Sequence, residues 1–83
     1  MRHATQDDLD RLEGLLAELR DLPELRERKR GHFSRKSQAF LHFHEDAGDF
    51  YADVKLTGSF ERRRVTSRAE QLAFLREVRG ALR

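Results

Sequence analysis

The chain has 83 residues, the size of one small domain with a modest hydrophobic core. It contains no cysteine, so neither disulfide bonds nor a thiolate zinc site can stabilise it, a composition typical of the reducing cytoplasm. Its apolar runs are too short to span a membrane, and a net charge of +2 does not by itself require an anionic partner. We therefore expect a single cytoplasmic domain, residues 1–83, that does not associate with membranes.

The N-terminal region predicts a helix that ends near Arg20. Thr5 is a good N-cap, and Asp7 and Asp8 follow in the first turn, where the helix dipole favours acids. Leucines at helical spacing give this helix one apolar face: Leu9, Leu12, Leu16 and Leu19.

The segment after Pro23, "ELRERKRGHF", is ambiguous because it contains helix-forming residues but almost no apolar face. As an extended segment it ends in Phe33, directly before the turn-like "SRKS". We predict a strand here.

From Ala39 to Leu56 the sequence "AFLHFHEDAGDFYADVKL" alternates with a period of two, which predicts a β-hairpin with its turn at "DAGD". The apolar residues of the two strands share one face only if each residue pairs with the one whose number brings the sum to 95. Burial of that face therefore selects this register. The outward-facing pairs are then Phe40 with Lys55, His42 with Asp53, and His44 with Tyr51. The apolar face carries Leu41, Phe43, Ala52 and Val54.

The C-terminal third predicts one more strand at "ERRRVT" and a final helix. Ser67 and Glu70 have the spacing of a capping box. One face of the helix would carry Ala69, Leu72, Leu75, Val78 and Leu82. The whole is a two-layer α+β domain: an N-terminal helix, an antiparallel meander of three or four strands, and a C-terminal helix.

This order of elements resembles a known group. A helix, a segment ending in "HF", the hairpin "AFLHFHEDAGDFYADV" and the closing "VTSRAEQLAFLREV" are similar to the small bacterial YjbR-like proteins. They are also similar to uncharacterised bacterial domains labelled "luciferase". The resemblance spans roughly residues 22–78 and implies a compact α+β fold with no established catalysis. Nucleic-acid binding has been proposed for such proteins from fold comparison alone.

Blocks of basic residues suggest the leading functional hypothesis, an electrostatic contact with nucleic acid. Residues 26–36 carry 6 basic groups and 1 acidic group, and an arginine run follows at residues 62–64. Cations bind phosphates, and Phe33 is a candidate for stacking on an unpaired base. The candidate residues are Arg26, Arg28, Lys29, Arg30, Phe33, Arg35, Lys36, Arg62, Arg63 and Arg64. The alternative is a solvated edge that prevents sheet-to-sheet pairing.

The second hypothesis is a protein-interaction or homodimerisation module. Asp7, Asp8 and Asp10 of one copy would face the cations of segment 26–30 in the other copy. The alternative is that these charges pair within the monomer or stay solvated.

The third hypothesis is a divalent-metal site formed by His42, His44 and Asp53, two histidines and a carboxylate on one hairpin face. The favoured interpretation of the same residues is a cross-strand pair of His42 with Asp53 and a half-buried His44 stacked on Tyr51. No glycine-rich phosphate loop or nucleophile elbow is present, so we expect neither an enzyme nor an obligatory cofactor.

Overall fold

The computed structural model describes residues 1–83 as a two-layer α+β fold, which confirms the predicted class. The elements are β1 (Arg2–His3), α1 (Gln6–Arg11), α2 (Glu13–Arg20), β2 (Arg26–Lys29), β3 (His32–Arg35), β4 (Gln38–Asp46), β5 (Asp49–Lys55), β6 (Phe60–Arg64) and α3 (Arg68–Ala81). The central sheet is antiparallel with strand order β2-β3-β4-β5-β6, and β1 pairs with the same edge of β4 as β3 does.

The sheet has more strands than the three or four predicted, because the segment after Pro23 forms two strands instead of one. A turn at Arg30 and Gly31 separates β2 from β3, and Gly31 adopts φ +79°, a conformation that glycine tolerates best. The two-residue strand β1, which pairs His3 with His44, was not predicted.

The N-terminal helical region begins at the predicted N-cap. Thr5 and Asp8 form a capping box, in which the Asp8 N–H donates to Thr5 Oγ1 and the Thr5 N–H donates to Asp8 Oδ2. The single predicted helix is interrupted at Leu12, which separates α1 from α2. All four predicted leucines are buried, together with Leu15.

The central hairpin has the predicted register. Leu41 pairs with Val54, His42 with Asp53, Phe43 with Ala52 and His44 with Tyr51. Ala47 and Gly48 both have positive φ, as a two-residue turn matched to the strand twist requires. The apolar members are at most 1% exposed and form the centre of the core.

Phe40 departs from the prediction, because it is buried instead of facing outward opposite Lys55. Phe33 pairs with Leu41, but the next residue Ser34 pairs with Ala39, so Phe40 is the extra residue of a β-bulge. The bulge shifts the side-chain alternation by one and buries Phe40, which is 3% exposed.

Helix α3 begins with the predicted capping box of Ser67 and Glu70. Its buried face is rotated from the predicted one, because Phe74 enters the core while Ala69 is exposed and Leu72 remains 41% exposed. The larger apolar surface of Phe74 outweighs that of Leu72, and Leu75, Val78 and Leu82 are buried as expected. None of the three helices is long and apolar enough to cross a membrane.

Candidate metal centre

All four histidines of the chain meet on the face of the sheet opposite the helices. His42 and His44 project from β4, His3 joins them from β1, and His32 joins them from β3. Ring centroids are 4.9 Å apart for His42 and His44, 4.6 Å for His3 and His44, and 6.1 Å for His32 and His42. Both β1 and β3 pair with the same edge of β4, so they bring His3 and His32 beside His42 and His44.

Asp53 lies at the centre of the hydrogen-bonding and charge network on this face. Its Oδ2 is 3.0 Å from His44 Nε2 and 3.5 Å from His42 Nε2. Arg62 on β6 donates to both oxygens, with Nε 2.8 Å from Oδ1 and Nη2 2.9 Å from Oδ2. One ligand atom from each of His42, His44 and Asp53 lies within 4.8 Å of the other two. The structure thus brings the three predicted metal ligands together.

His44 Nε2 is buried and has no hydrogen-bond partner. Asp53 Oδ2 lies 3.0 Å from His44 Nε2, but it is off the axis along which a ring N–H would point. The two atoms are therefore in close contact without forming a hydrogen bond. The ring packs against His3 and His42, not against Tyr51 as the favoured interpretation had it. Leaving a buried polar atom unpaired costs about 1–3 kcal/mol, and a bound cation would remove that cost.

The ionisation states of two of these groups suit a metal ligand. Burial lowers the pKa of His42, and the neighbouring His44 lowers it further. The hydrogen bonds from Arg62 hold the pKa of Asp53 below its ordinary value. At neutral pH His42 is therefore a neutral imidazole and Asp53 a carboxylate, the forms that coordinate metals.

The two basic blocks occupy opposite edges of the sheet. Residues 26–29 form the edge strand β2, whereas Arg62, Arg63 and Arg64 lie on the edge strand β6. Three strands separate the two blocks in the sheet. Strand β6 does pair directly with β5, and that pairing explains how Arg62 reaches Asp53.

All three arginines in the second block are neutralised within the chain, Arg62 by Asp53. Arg63 contacts Glu77 at 3.0 Å, and Arg64 contacts Asp49 at 2.6 Å. Arg30 of the first block is also paired, with Asp10 at 2.7 Å and with Glu13 at 3.0 Å. Arg35 donates a hydrogen bond to the Ala81 carbonyl, and Arg28 donates one to Ser34 Oγ. Five of the predicted cations form no ion pair: Arg26, Arg28, Lys29, Arg35 and Lys36.

Two other sequence expectations are changed by the packing. Phe33 is 2% exposed and belongs to the core, so the predicted stacking on a base is wrong. For the dimer hypothesis, Asp8 already contacts Arg2 at 3.1 Å and Asp10 contacts Arg30. Two of the three acids assigned to a partner chain, Asp8 and Asp10, are therefore paired within one chain, as is Arg30.

No protein-family model, curated protein or solved structure matches this chain. The resemblance to the YjbR-like proteins stays a prediction. The fold and the site define a small α+β domain with a histidine-rich sheet face.

Proposed function

We propose that this domain binds a divalent transition-metal ion through His42, His44 and Asp53. The observation that carries the proposal is the buried His44 Nε2, which has no hydrogen-bond partner and lies beside a carboxylate and a second imidazole. Two histidines and one carboxylate form a ligand set used for Fe(II), and imidazole also suits Zn(II), Ni(II) and Cu(II).

The spacing of the donor atoms fits such an ion after a small side-chain movement. With metal–ligand distances of about 2.1 Å, the donors of a tetrahedral site are about 3.4 Å apart. The Asp53 oxygen already lies 3.0 Å and 3.5 Å from the two imidazole nitrogens. The ligand nitrogens of His42 and His44 lie within 4.8 Å of each other. Rotation of the half-buried His42 ring would bring them closer.

Two neighbouring residues support the site without belonging to the triad. Arg62 orients the carboxylate by its paired hydrogen bonds, the role of an outer partner in metal centres. His3 is exposed and lies against His44, so it is a candidate fourth ligand. Coordination by His3 would fasten β1 to β4, and the ion would then stabilise the N-terminal strand.

The test is calorimetric titration of the untagged protein with Zn(II) and, separately, Ni(II). We expect one ion per chain with a dissociation constant in the micromolar range or below. His44→Ala should weaken binding by more than about tenfold, the least that changes around a metal centre usually cost. His32→Gln is the matched control, because His32 lies on the same face but outside the ligand set. Absence of heat at micromolar concentrations, or an equal loss in both variants, would contradict the proposal.

A second candidate function is electrostatic contact with single-stranded nucleic acid along β2 and the following turns. The observation that favours it is that Arg26, Arg28, Lys29, Arg35 and Lys36 have no carboxylate partner. Affinity for a mixed-sequence oligonucleotide should then fall with salt, and Lys29→Gln should reduce the slope by about one contact. Arg64→Gln serves as a control, because Arg64 is paired on the far edge. Binding that is independent of salt argues against this mechanism.

A further inference from the structure

A concavity of about 390 Å³ opens beside the histidine cluster, where β2, β3 and β4 meet. Of its three apolar lining residues, Ala39 is exposed, whereas Phe33 and Leu41 are at most 2% exposed and belong to the core. The rings of His32 and His42 also line it, stacked with an interplanar angle of 13°. This volume lies at the small end of the range for small-molecule sites, which are typically apolar with a few polar groups.

The polar groups at this concavity are cationic. Arg28 and Lys29 both line it, and its lining contains no carboxylate. The nearby acid Glu27 is engaged elsewhere, because it accepts hydrogen bonds from Arg20 and from the Gly31 N–H. An anion entering the concavity would therefore meet two cations and no opposing charge.

Arg28 is held in position by the local backbone and by a buried serine. The pairing of β2 with β3 shifts between Glu27 and Lys29, so Arg28 is the extra residue of a β-bulge. Its Nε donates to Ser34 Oγ at 3.0 Å, and Ser34 itself is 5% exposed. The two terminal guanidinium nitrogens make no hydrogen bond within the chain, so the fork that binds carboxylates and phosphates stays available.

We infer that this concavity binds a small organic anion with a planar apolar body. The ring of the ligand would lie against the imidazole rings of His32 and His42, and its phosphate or carboxylate would bind Arg28 and Lys29. The inference goes beyond the proposed metal site and does not depend on it, because the imidazole rings and the cations are present without an ion.

The test is titration of metal-free, untagged protein with phenyl phosphate, with inorganic phosphate as a parallel probe. We expect phenyl phosphate to bind at least about tenfold more tightly, because only its ring can pack against the imidazole rings of His32 and His42. Arg28→Gln should weaken phenyl phosphate binding by about tenfold through loss of the bidentate contact. Arg76→Gln is the charge-matched control, since Arg76 is exposed on α3, away from the concavity, and should leave binding unchanged.

Three outcomes would overturn the inference. Equal affinity for inorganic phosphate and phenyl phosphate would exclude the planar apolar component. Equal losses in the Arg28 and Arg76 variants would mean that the anion responds only to net charge. Binding of an oligonucleotide much more tightly than phenyl phosphate, at the same residues, would assign the edge to nucleic acid. The His44→Ala variant keeps the two proposals separate, because it should lose the metal and retain phenyl phosphate.

Discussion

Replacing Asp53 by asparagine tests the centre of the histidine-rich face, because this substitution keeps the side-chain shape and removes the charge. In the native chain the carboxylate accepts two hydrogen bonds from Arg62 and lies beside two imidazoles. Asparagine can accept from Arg62 only through its single oxygen. The variant should therefore lose both folding stability and metal affinity.

The two losses have different sizes and can be separated. Hydrogen bonds to charged groups contribute about 1.5–3 kcal/mol when buried. The Arg62 side chain is 47% exposed, so solvent screening reduces the expected loss of stability to about 1 kcal/mol. Free Zn(II) at 100 times its dissociation constant should stabilise the native chain by about 2.7 kcal/mol, and Asp53→Asn should abolish most of that gain.

The assay is urea unfolding followed by circular dichroism, with and without Zn(II). With a slope near 1 kcal/mol per molar urea, the metal-free variant should unfold at about 1 M lower urea than the native chain. Arg62→Gln is the matched control, because it breaks the same ion pair but leaves the carboxylate in place. If Asp53→Asn gains as much stability from Zn(II) as the native chain does, Asp53 is not a ligand and the reasoning fails.

Three further predictions concern pH, the core and one turn. Burial holds the pKa of His42 below its ordinary value, so the unfolded chain binds more protons and stability should fall below about pH 6.5. Zn(II) affinity should fall at lower pH, where His42 of the folded chain takes up a proton. A flat urea midpoint between about pH 5 and pH 8 would refute the prediction of stability. Phe43 is 1% exposed, so Phe43→Ala should cost about 3–5 kcal/mol, a large fraction of the stability of a small domain. The thermal midpoint of the Phe43→Ala variant should therefore drop sharply. A fall of only a few degrees would contradict the prediction, because it would show that neighbouring side chains fill the cavity left by Phe43. Gly31→Ala should cost about 2 kcal/mol, because alanine is strained at φ +79° and its Cβ would lie 2.7 Å from Leu9 Cδ2; an unchanged urea midpoint would disprove it.

The hairpin could be predicted from the sequence because its determinants are local. Alternation fixes which residues share a face, the turn residues fix the loop, and burial of Phe43 and Val54 excludes a register shifted by one. The pairing of His42 with Asp53 follows directly from that register. The N-cap at Thr5 and the capping box at Ser67 were equally predictable, since each acts on a residue only three positions away.

The rest of the site depends on contacts between distant parts of the chain. Nothing near His3 indicates that a two-residue strand would place it beside His44, because β1 shows no alternation of its own. The bulge at Phe40 arises from the pairing of β3 with β4, and no local sequence pattern predicts it. The sequence therefore identified three ligand candidates but missed the other two histidines of the cluster.

Strand β1 has a consequence for the kinetics of ion exchange. It is held to β4 by two residue pairs, by the Ala4 N–H that donates to the Phe43 carbonyl at 3.1 Å, and by the contact of Arg2 with Glu45. Arg2 also contacts Asp8 on α1. Neither of its residues is buried, so it can detach without opening the core. If His3 coordinates the ion, the residence time of the metal is set by how often this strand opens. A polyhistidine extension ahead of Met1 would place competing imidazoles at the same point, so exchange rates should be measured on the untagged chain.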